Sequence, residues 1–109
     1  MKITFYGHAA LGIQVEDVHV LVDPFISGNE KASHIDIEAI KADYILVTHA
    51  HQDHTLDVER IAKRTGAIVI SNAEIAGHFA KMDIETHPMN HGGSWDFEFG
   101  LVKYVNATH

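Results

Sequence analysis

Short apolar runs separated by polar turns dominate the chain and predict a sheet-rich core. Residues 2–6 alternate polar and apolar side chains, and two apolar runs at 11–15 and 18–22 are joined by a short polar link. This arrangement is typical of an antiparallel hairpin. The run 44–47 is continuously apolar, and it therefore predicts a strand that is covered on both faces.

Helical and extended patterns alternate in the rest of the chain. Apolar side chains recur at helical spacing from 55 to 64, and Gly66 follows as a C-terminal stop. Ser71 with Glu74 predicts a capping box for a helix through about Ala80. The remaining predicted elements are a helical turn capped by Asp36 and running to about Lys41, strands at 67–70 and 84–87, and sheet segments at 95–99 and 101–105. We expect the alternating aromatic residues Trp95, Phe97 and Phe99 to pack into the core.

Length and charge narrow the class of protein. The chain has 109 residues, of which 46% are hydrophobic, and this suits one domain or part of one. No apolar run approaches the roughly 20 residues that cross a bilayer, and the N-terminus lacks signal-peptide features. We therefore expect a cytoplasmic protein with no membrane partner. Acidic residues outnumber basic ones, 15 to 8, which argues against a nucleic-acid partner because phosphate-binding surfaces need clustered Lys and Arg.

Candidate metal ligands are concentrated in one short segment. His49, His51, Asp53 and His54 directly follow the predicted strand 44–47. Alternate side chains of an extended segment share a face, so His49 and His51 can converge on one ion. Asp53 and His54 lie where the chain turns into a helix, so they can address a second ion. The alternative is a solvated histidine loop that caps the helix.

The chain has no cysteine and ten histidines, so a metal would have to be held by nitrogen and oxygen ligands. Neutral imidazoles with a carboxylate match zinc, and manganese, iron or nickel suit the same ligand set. The spacing predicts up to two ions. A carboxylate beside bound water can accept its proton, which makes Asp53 either the catalytic base or a ligand of the second ion.

The pattern His-x-His-x-Asp-His in residues 48–54 resembles the signature of the metallo-β-lactamase superfamily. Four further segments resemble uncharacterised metal-dependent hydrolases related to ascorbate-6-phosphate lactonase, namely Gly-His-Ala at 7–9, Leu-Val-Asp-Pro-Phe at 21–25, Pro-Met-Asn-His-Gly-Gly at 88–93 and Asn-Ala-Thr-His at 106–109. The resemblance implies an α+β fold, a metallo-β-lactamase-like αββα sandwich. About one half of it would be present here, as a mixed sheet with helices on one face.

The resemblance also implies roles for individual residues. His49, His51 and His109 would hold the first metal, and Asp53 and His54 the second. Residues 1–109 would form the N-terminal half of the domain, apparently truncated after His109. Because the remaining ligands would lie further along the chain, the second site is expected to be weak or empty. The apolar surface left exposed would pair with the missing C-terminal half or with another copy of the chain.

Three further residues are candidates for contacts around the metal. The resemblance places His8 facing the cleft, as a substrate contact or as support for a ligand, and a plain surface histidine is the alternative. Asp23 could accept a hydrogen bond from a ligand histidine and fix its tautomer, or it could merely cap the turn before Pro24. His91 lies in a glycine-flanked loop of the kind that often binds ligands.

The predicted function is a metal-dependent hydrolase that uses metal-activated water on a small ester, lactone or phosphoester. The substrate class rests on the resemblance, because a fold does not fix a substrate. Two alternatives stay open, an inactive metal-binding fragment and a nuclease of the same superfamily.

Overall fold

The computed structural model describes residues 1–107 of the chain. The strands are β1 (Lys2–Gly7), β2 (Ala10–Val15), β3 (Val18–Val22), β4 (Tyr44–Leu46), β5 (Ile68–Ser71), β6 (Thr86–Pro88), β7 (Ser94–Phe97) and β8 (Gly100–Lys103). The helices are α1 (Gln52–Thr55), α2 (Val58–Thr65) and α3 (Ala73–Ala80), with short 3-10 turns at Glu30–Ala32 and Ile37–Ala39. Among the described residues, no helix is long and apolar enough to span a membrane.

Six strands form one mixed sheet in the order β1-β2-β3-β4-β5-β6. The pairs β1–β2 and β2–β3 are antiparallel, and the pairs from β3 to β6 are parallel. The predicted hairpin and the mixed sheet are confirmed. Because β1 and β3 both run antiparallel to β2, their carboxyl ends lie at the same edge of the sheet as those of β4, β5 and β6.

One face of this sheet packs against the helices and forms the main core. Leu21, Ile45 and Val69 are register neighbours on β3, β4 and β5, and each is at most 1% exposed. They share one buried cluster with Ile61 of α2 and Phe79 of α3. Full burial of such side chains stabilises a fold by roughly 1.5–3 kcal/mol each, so this interface holds the candidate metal segment against a rigid support.

The predicted helix at 55–64 is two helices with a break at Asp57, whose backbone is not helical (φ −102°, ψ 9°). The buried Asp57 carboxylate accepts hydrogen bonds from the backbone N–H groups of Ile26 and Ser27, both at 2.8 Å, and from the Ser27 hydroxyl at 2.6 Å. Apolar spacing could not reveal this break, because Asp57 binds a loop 30 residues earlier. Helix α2 ends at Gly66 in the left-handed conformation, as the sequence predicts.

One sequence-based detail of helix capping needs correction. Helix α3 is capped by Asn72, whose Oδ1 accepts from the Ile75 N–H at 2.9 Å, and not by Ser71. Ser71 ends β5, and its hydroxyl instead donates to the Val47 carbonyl. The predicted cap was therefore wrong by one residue, because Ser and Asn are both strong N-cap residues. The helical turn capped by Asp36 is confirmed, as a 3-10 turn.

The aromatic residues around β7 lie on the second face of the large sheet and not in the buried core. Phe97 and Phe99 contact the Tyr44 ring, with centroids 5.7 and 4.8 Å away, and both are half-buried. Trp95 is 55% exposed, so the predicted core position is wrong. In the described residues, β7 and β8 form a two-stranded sheet, which is too small to bury these rings.

The same face of the large sheet is exposed toward β1. Ile3 pairs with Ile13, which in turn pairs with Val20, so these side chains share the face that carries Tyr44. Val20 is buried, but Ile3 is 63% exposed. Phe5, two residues along β1, is 68% exposed. An apolar strip therefore remains uncovered beside the small sheet.

Candidate metal centre

The candidate ligands meet at the edge of the sheet where the carboxyl ends of its parallel strands lie. Asp23 directly follows β3, and the segment 48–54 follows β4, its parallel neighbour. His8 follows β1, whose carboxyl end lies at the same edge. Ligand sites of open parallel sheets commonly form at this edge, because the loops there converge. The side chains of His8, His49, His51, Asp53 and His54 line one open cleft.

Two of these residues adopt backbone conformations that are unfavourable for side chains with a Cβ atom. His8 has φ 54° and Asp23 has φ 44°, both in the left-handed region. Such a conformation costs roughly 1–2 kcal/mol for a residue other than glycine, and it persists when surrounding contacts enforce it. At both positions the backbone turns sharply at a strand end. The turn directs the His8 side chain into the cleft and the buried Asp23 side chain toward Thr48 and His54.

Asp23 is the most heavily bonded side chain of the site. It is 3% exposed, and its Oδ1 accepts the Thr48 N–H at 2.8 Å. Its Oδ2 lies 2.6 Å from the Thr48 hydroxyl and 2.9 Å from Nδ1 of His54. With these three donors around it, the carboxylate is engaged in orienting the segment after β4. The hydrogen bond to a candidate ligand histidine is the geometry that the sequence-based prediction for Asp23 requires.

The histidine rings of the segment are packed close together. The His49 and His54 ring centroids are 4.1 Å apart, those of His49 and His51 are 4.8 Å apart, and those of His8 and His54 are 5.6 Å apart. Like groups with lone pairs at such short range suit a common cation. His51 stands at the N-cap of α1, where its side chain makes no capping hydrogen bond. A solvated histidine loop stays the alternative to a metal site.

Two groups of three side chains have the geometry to hold an ion. His8, Asp53 and His54 each offer a ligand atom, and these atoms lie within 4.8 Å of one another, as do those of Asp23, His49 and His54. Since Asp23 is already occupied by Thr48 and His54, it fits a supporting role better than that of a ligand. Imidazole nitrogens with one carboxylate oxygen form a donor set that fits zinc and similar divalent ions.

Asp53 and His8 form an exposed pair at the mouth of the cleft. His8 Nε2 lies 2.9 Å from Asp53 Oδ2, and His54 Nε2 lies 3.9 Å from the same oxygen. The hydrogen bond from His8 lowers the pKa of the Asp53 carboxyl below its ordinary value, and the nearby His54 acts in the same direction. Asp53 is therefore ionised at neutral pH, as a ligand or a proton acceptor must be.

Removing the His8 side chain tests this pair. In His8→Ala the Asp53 carboxylate loses its hydrogen-bond donor, so we expect the Asp53 pKa to rise toward the ordinary aspartate value. Carbon-13 NMR of the Asp53 carboxyl in the metal-free chain measures the change. His78→Ala, which removes an exposed histidine of α3, is the matched control and should leave the Asp53 titration where it is. An unchanged pKa in His8→Ala would contradict the pairing.

The other candidate residues lie apart from this cluster or outside the described part of the chain. His91 is exposed, and its ring contacts Tyr104 with centroids 5.3 Å apart. It belongs to neither group of candidate ligands. His109 lies outside the described residues.

Sequence reasoning missed Thr48 and Tyr104. The Thr48 hydroxyl connects Asp23 with His49, and the Tyr104 hydroxyl donates to the Thr48 carbonyl at 2.9 Å. A threonine after a strand is too ordinary to attract notice, and Tyr104 comes from 56 residues away. Phe25 was likewise quoted only as part of a motif, and its ring meets the His8 ring edge-on at 5.4 Å.

The chain is similar to known proteins in both sequence and fold. Residues 2–109 match the family described as beta-lactamase superfamily domain. A UPF0173 metal-dependent hydrolase of Flavobacterium johnsoniae is 65% identical over 109 residues, which cover all of this chain and 48% of the relative. The UPF0173 metal-dependent hydrolase YtkL of Bacillus subtilis is 43% identical over the same shares of the two chains. The chain thus spans about half the length of the curated relatives that it matches.

A solved structure agrees with these sequence matches. Igni18, described as a novel metallo hydrolase from Ignicoccus hospitalis, superposes with a TM-score of 0.74 at 30% identity, over 85% of this chain and 41% of Igni18. The predicted fold class and the general resemblance are confirmed, whereas the particular relation to ascorbate-6-phosphate lactonase stays a prediction. The chain belongs to the beta-lactamase superfamily domain family, and its relatives are named metal-dependent hydrolases.

Proposed function

We propose that this chain carries the metal-binding centre of a hydrolase that acts on a small ester, lactone or phosphoester. The observation that carries the proposal is the cluster of His8, His49, His51, Asp53 and His54 in one cleft, backed by a buried carboxylate. When bound, a divalent ion lowers the pKa of water and polarises the oxygen that receives negative charge. Zinc is the metal we propose, and manganese, iron and nickel suit the same donors.

The residues have separate tasks in this proposal. His49, His51 and His109 hold the first ion, and Asp53 and His54 bind a second. Asp53 is also the proton acceptor, because its ionised carboxylate lies at the open mouth of the cleft. His8 keeps Asp53 in place through the 2.9 Å hydrogen bond and contacts the substrate. We assign His91 to the substrate side as well, on the composition of its loop alone.

Hydrolysis by the metal-loaded chain tests the function directly. Metal-depleted protein would be reloaded with zinc or manganese and offered a nitrophenyl ester, a simple lactone and a nitrophenyl phosphate. We expect turnover of at least one of these substrates with metal and none without it. His78→Ala should match the unmodified chain. Metal binding without turnover of any of the three would favour the inactive-fragment alternative.

A nuclease is the second alternative, and the charge of the chain argues against it. The formal net charge is -7, whereas affinity for nucleic acid comes largely from Lys and Arg that displace counterions. We expect neither RNA nor DNA to bind at low salt. Metal-dependent cleavage of either would replace the small-molecule proposal.

The exposed strip formed by Ile3 and Phe5 supports the prediction that residues 1–109 are the N-terminal half of a larger domain, in which a second sheet covers this face. The greater length of the curated relatives agrees with this interpretation. A homo-oligomer that uses the same face is the alternative, and light scattering distinguishes them because the oligomer predicts twice the monomer mass or more. A cytoplasmic location remains our expectation.

A further inference from the structure

The Thr48 hydroxyl lies between a buried carboxylate and a candidate ligand. Its Oγ1 atom is 2.6 Å from Oδ2 of Asp23 and 2.9 Å from Nδ1 of His49. His54 reaches the same Asp23 oxygen directly through its own Nδ1 atom, at 2.9 Å. One carboxylate oxygen therefore contacts one histidine directly and a second histidine through a hydroxyl group.

Counting protons fixes the direction of these hydrogen bonds. Two oxygens 2.6 Å apart need a proton between them, and an ionised carboxylate supplies none, so the single Thr48 hydroxyl proton points to Asp23. The hydroxyl then has only lone pairs left for His49 and must accept from Nδ1–H. His54 likewise donates its Nδ1 proton to Asp23. In the neutral form, both rings consequently carry their lone pair on Nε2.

The backbone of Thr48 is held on both sides of this hydroxyl. Its N–H donates to Oδ1 of Asp23 at 2.8 Å, and its carbonyl accepts from the Tyr104 hydroxyl at 2.9 Å. Ser71 supports Val47, the residue before Thr48, because the Ser71 hydroxyl donates to the Val47 carbonyl at 2.8 Å. With both peptide groups fixed, the Cβ atom of Thr48 is held in place, and its hydroxyl is within hydrogen-bond distance of Asp23 and His49.

We propose that Thr48 is a positioning residue that selects the His49 tautomer, by relaying the acceptor character of Asp23 to Nδ1 of His49. Its task is to present Nε2 of His49 as the metal-binding nitrogen before any ion arrives. This inference rests on the proposed function, since it gives His49 the role of a ligand. A ring already in the required tautomer and orientation binds a metal without first moving a proton or rotating.

Two variants separate the hydroxyl from the rest of the side chain. Thr48→Val keeps the shape of threonine but removes the hydroxyl, and Thr48→Ser keeps the hydroxyl but removes the methyl group. Neither change touches the backbone hydrogen bonds to Asp23 and Tyr104. His54 is an internal reference in both variants, because its bond to Asp23 does not pass through Thr48.

Long-range proton–nitrogen NMR of the metal-free chain reads the tautomer directly. At about pH 8.5, where ordinary imidazoles are neutral, we expect His49 to be protonated at Nδ1 in the unmodified chain and in Thr48→Ser. In Thr48→Val we expect His49 to shift toward the Nε2-protonated form, which neutral imidazole otherwise favours, while His54 keeps its Nδ1 proton. An unchanged His49 pattern in Thr48→Val would overturn the proposal, as would Nε2 protonation in the unmodified chain.

Metal affinity gives a second measurement that does not depend on turnover. Competition with a chromogenic chelator should show zinc binding weakened about 10- to 100-fold in Thr48→Val, the range typical of lost outer contacts to a ligand histidine. Thr48→Ser should restore most of the affinity. Equal losses in both variants would assign Thr48 a packing role and overturn the relay. If the unmodified chain binds no zinc, the proposed function is wrong. The NMR measurement on the metal-free chain still decides separately whether Thr48 selects the His49 tautomer.

Discussion

Asp23→Ala is expected to lower the free energy of unfolding of the metal-free chain by about 3–5 kcal/mol, the scale of removing one partner from a buried charged network. Asp23 is 3% exposed, and its carboxylate accepts from the Thr48 N–H, the Thr48 hydroxyl and His54. Truncation leaves these three donors without an acceptor, and each loses its compensation for desolvation. Urea unfolding followed by circular dichroism measures the effect.

Asp36→Ala is the matched control for the loss of Asp23. The Asp36 side chain also accepts a backbone N–H, from Glu38 at 3.2 Å, but it is exposed at the start of a short turn. Losing such a cap costs about 0.5–2 kcal/mol. Similar unfolding curves for Asp23→Ala and Asp36→Ala would contradict the central role of Asp23.

Asp23→Asn keeps the shape of the side chain but turns one acceptor into a donor, so we expect it to weaken zinc binding even if the fold survives.

His54→Ala is expected to lower the affinity of the chain for the second zinc ion by more than about 100-fold, because loss of a ligand should exceed the 10- to 100-fold effect of losing an outer contact. The His54 ring contacts both the His49 ring and the His8 ring in the cleft. Its Nδ1 atom is fixed by Asp23, and its Nε2 atom faces Asp53 at 3.9 Å. It is also the one residue common to both three-residue groups that can hold an ion among the described residues.

Chelator competition and metal analysis after dialysis measure the loss in His54→Ala. His78→Ala controls for the removal of an imidazole, since His78 lies on α3, is exposed and contacts Phe79. Its zinc affinity should equal that of the unmodified chain. If both variants bind the second zinc ion equally well, His54 is not a ligand and the assignment of the second ion is wrong.

The parts of the fold that the sequence predicted are those in which local pattern and tertiary environment agree. The run 44–47 is apolar throughout, and β4 lies between β3 and β5 with the core on one side and Tyr104 near the other. The position of the candidate site followed for the same reason, since ligands after a buried strand reach the sheet edge. Local pattern alone was sufficient for both.

The features that the sequence did not predict depend on distant partners. Asp57 breaks a helical pattern because its carboxylate binds a loop near Ser27, and no spacing within 55–64 reports that contact. Trp95 alternates as a buried strand residue would, but its exposure depends on what covers the second face of the sheet. The relay through Thr48 requires Asp23 to lie 2.6 Å away, although 25 residues separate them. These contacts became visible only in three dimensions.

The left-handed backbone at His8 places stability and chemistry in opposition at one position. Glycine adopts φ near 54° without a clash at Cβ, so it would relieve strain at His8 and make folding more favourable by at most about 1 kcal/mol after its own entropy cost. It would also remove the ring that holds Asp53. Asp23 carries a similar strain, but its buried carboxylate offsets that strain through three hydrogen bonds. Selection of this protein for heat resistance alone would thus keep Asp23 and discard His8, and with it the hydrogen bond to Asp53.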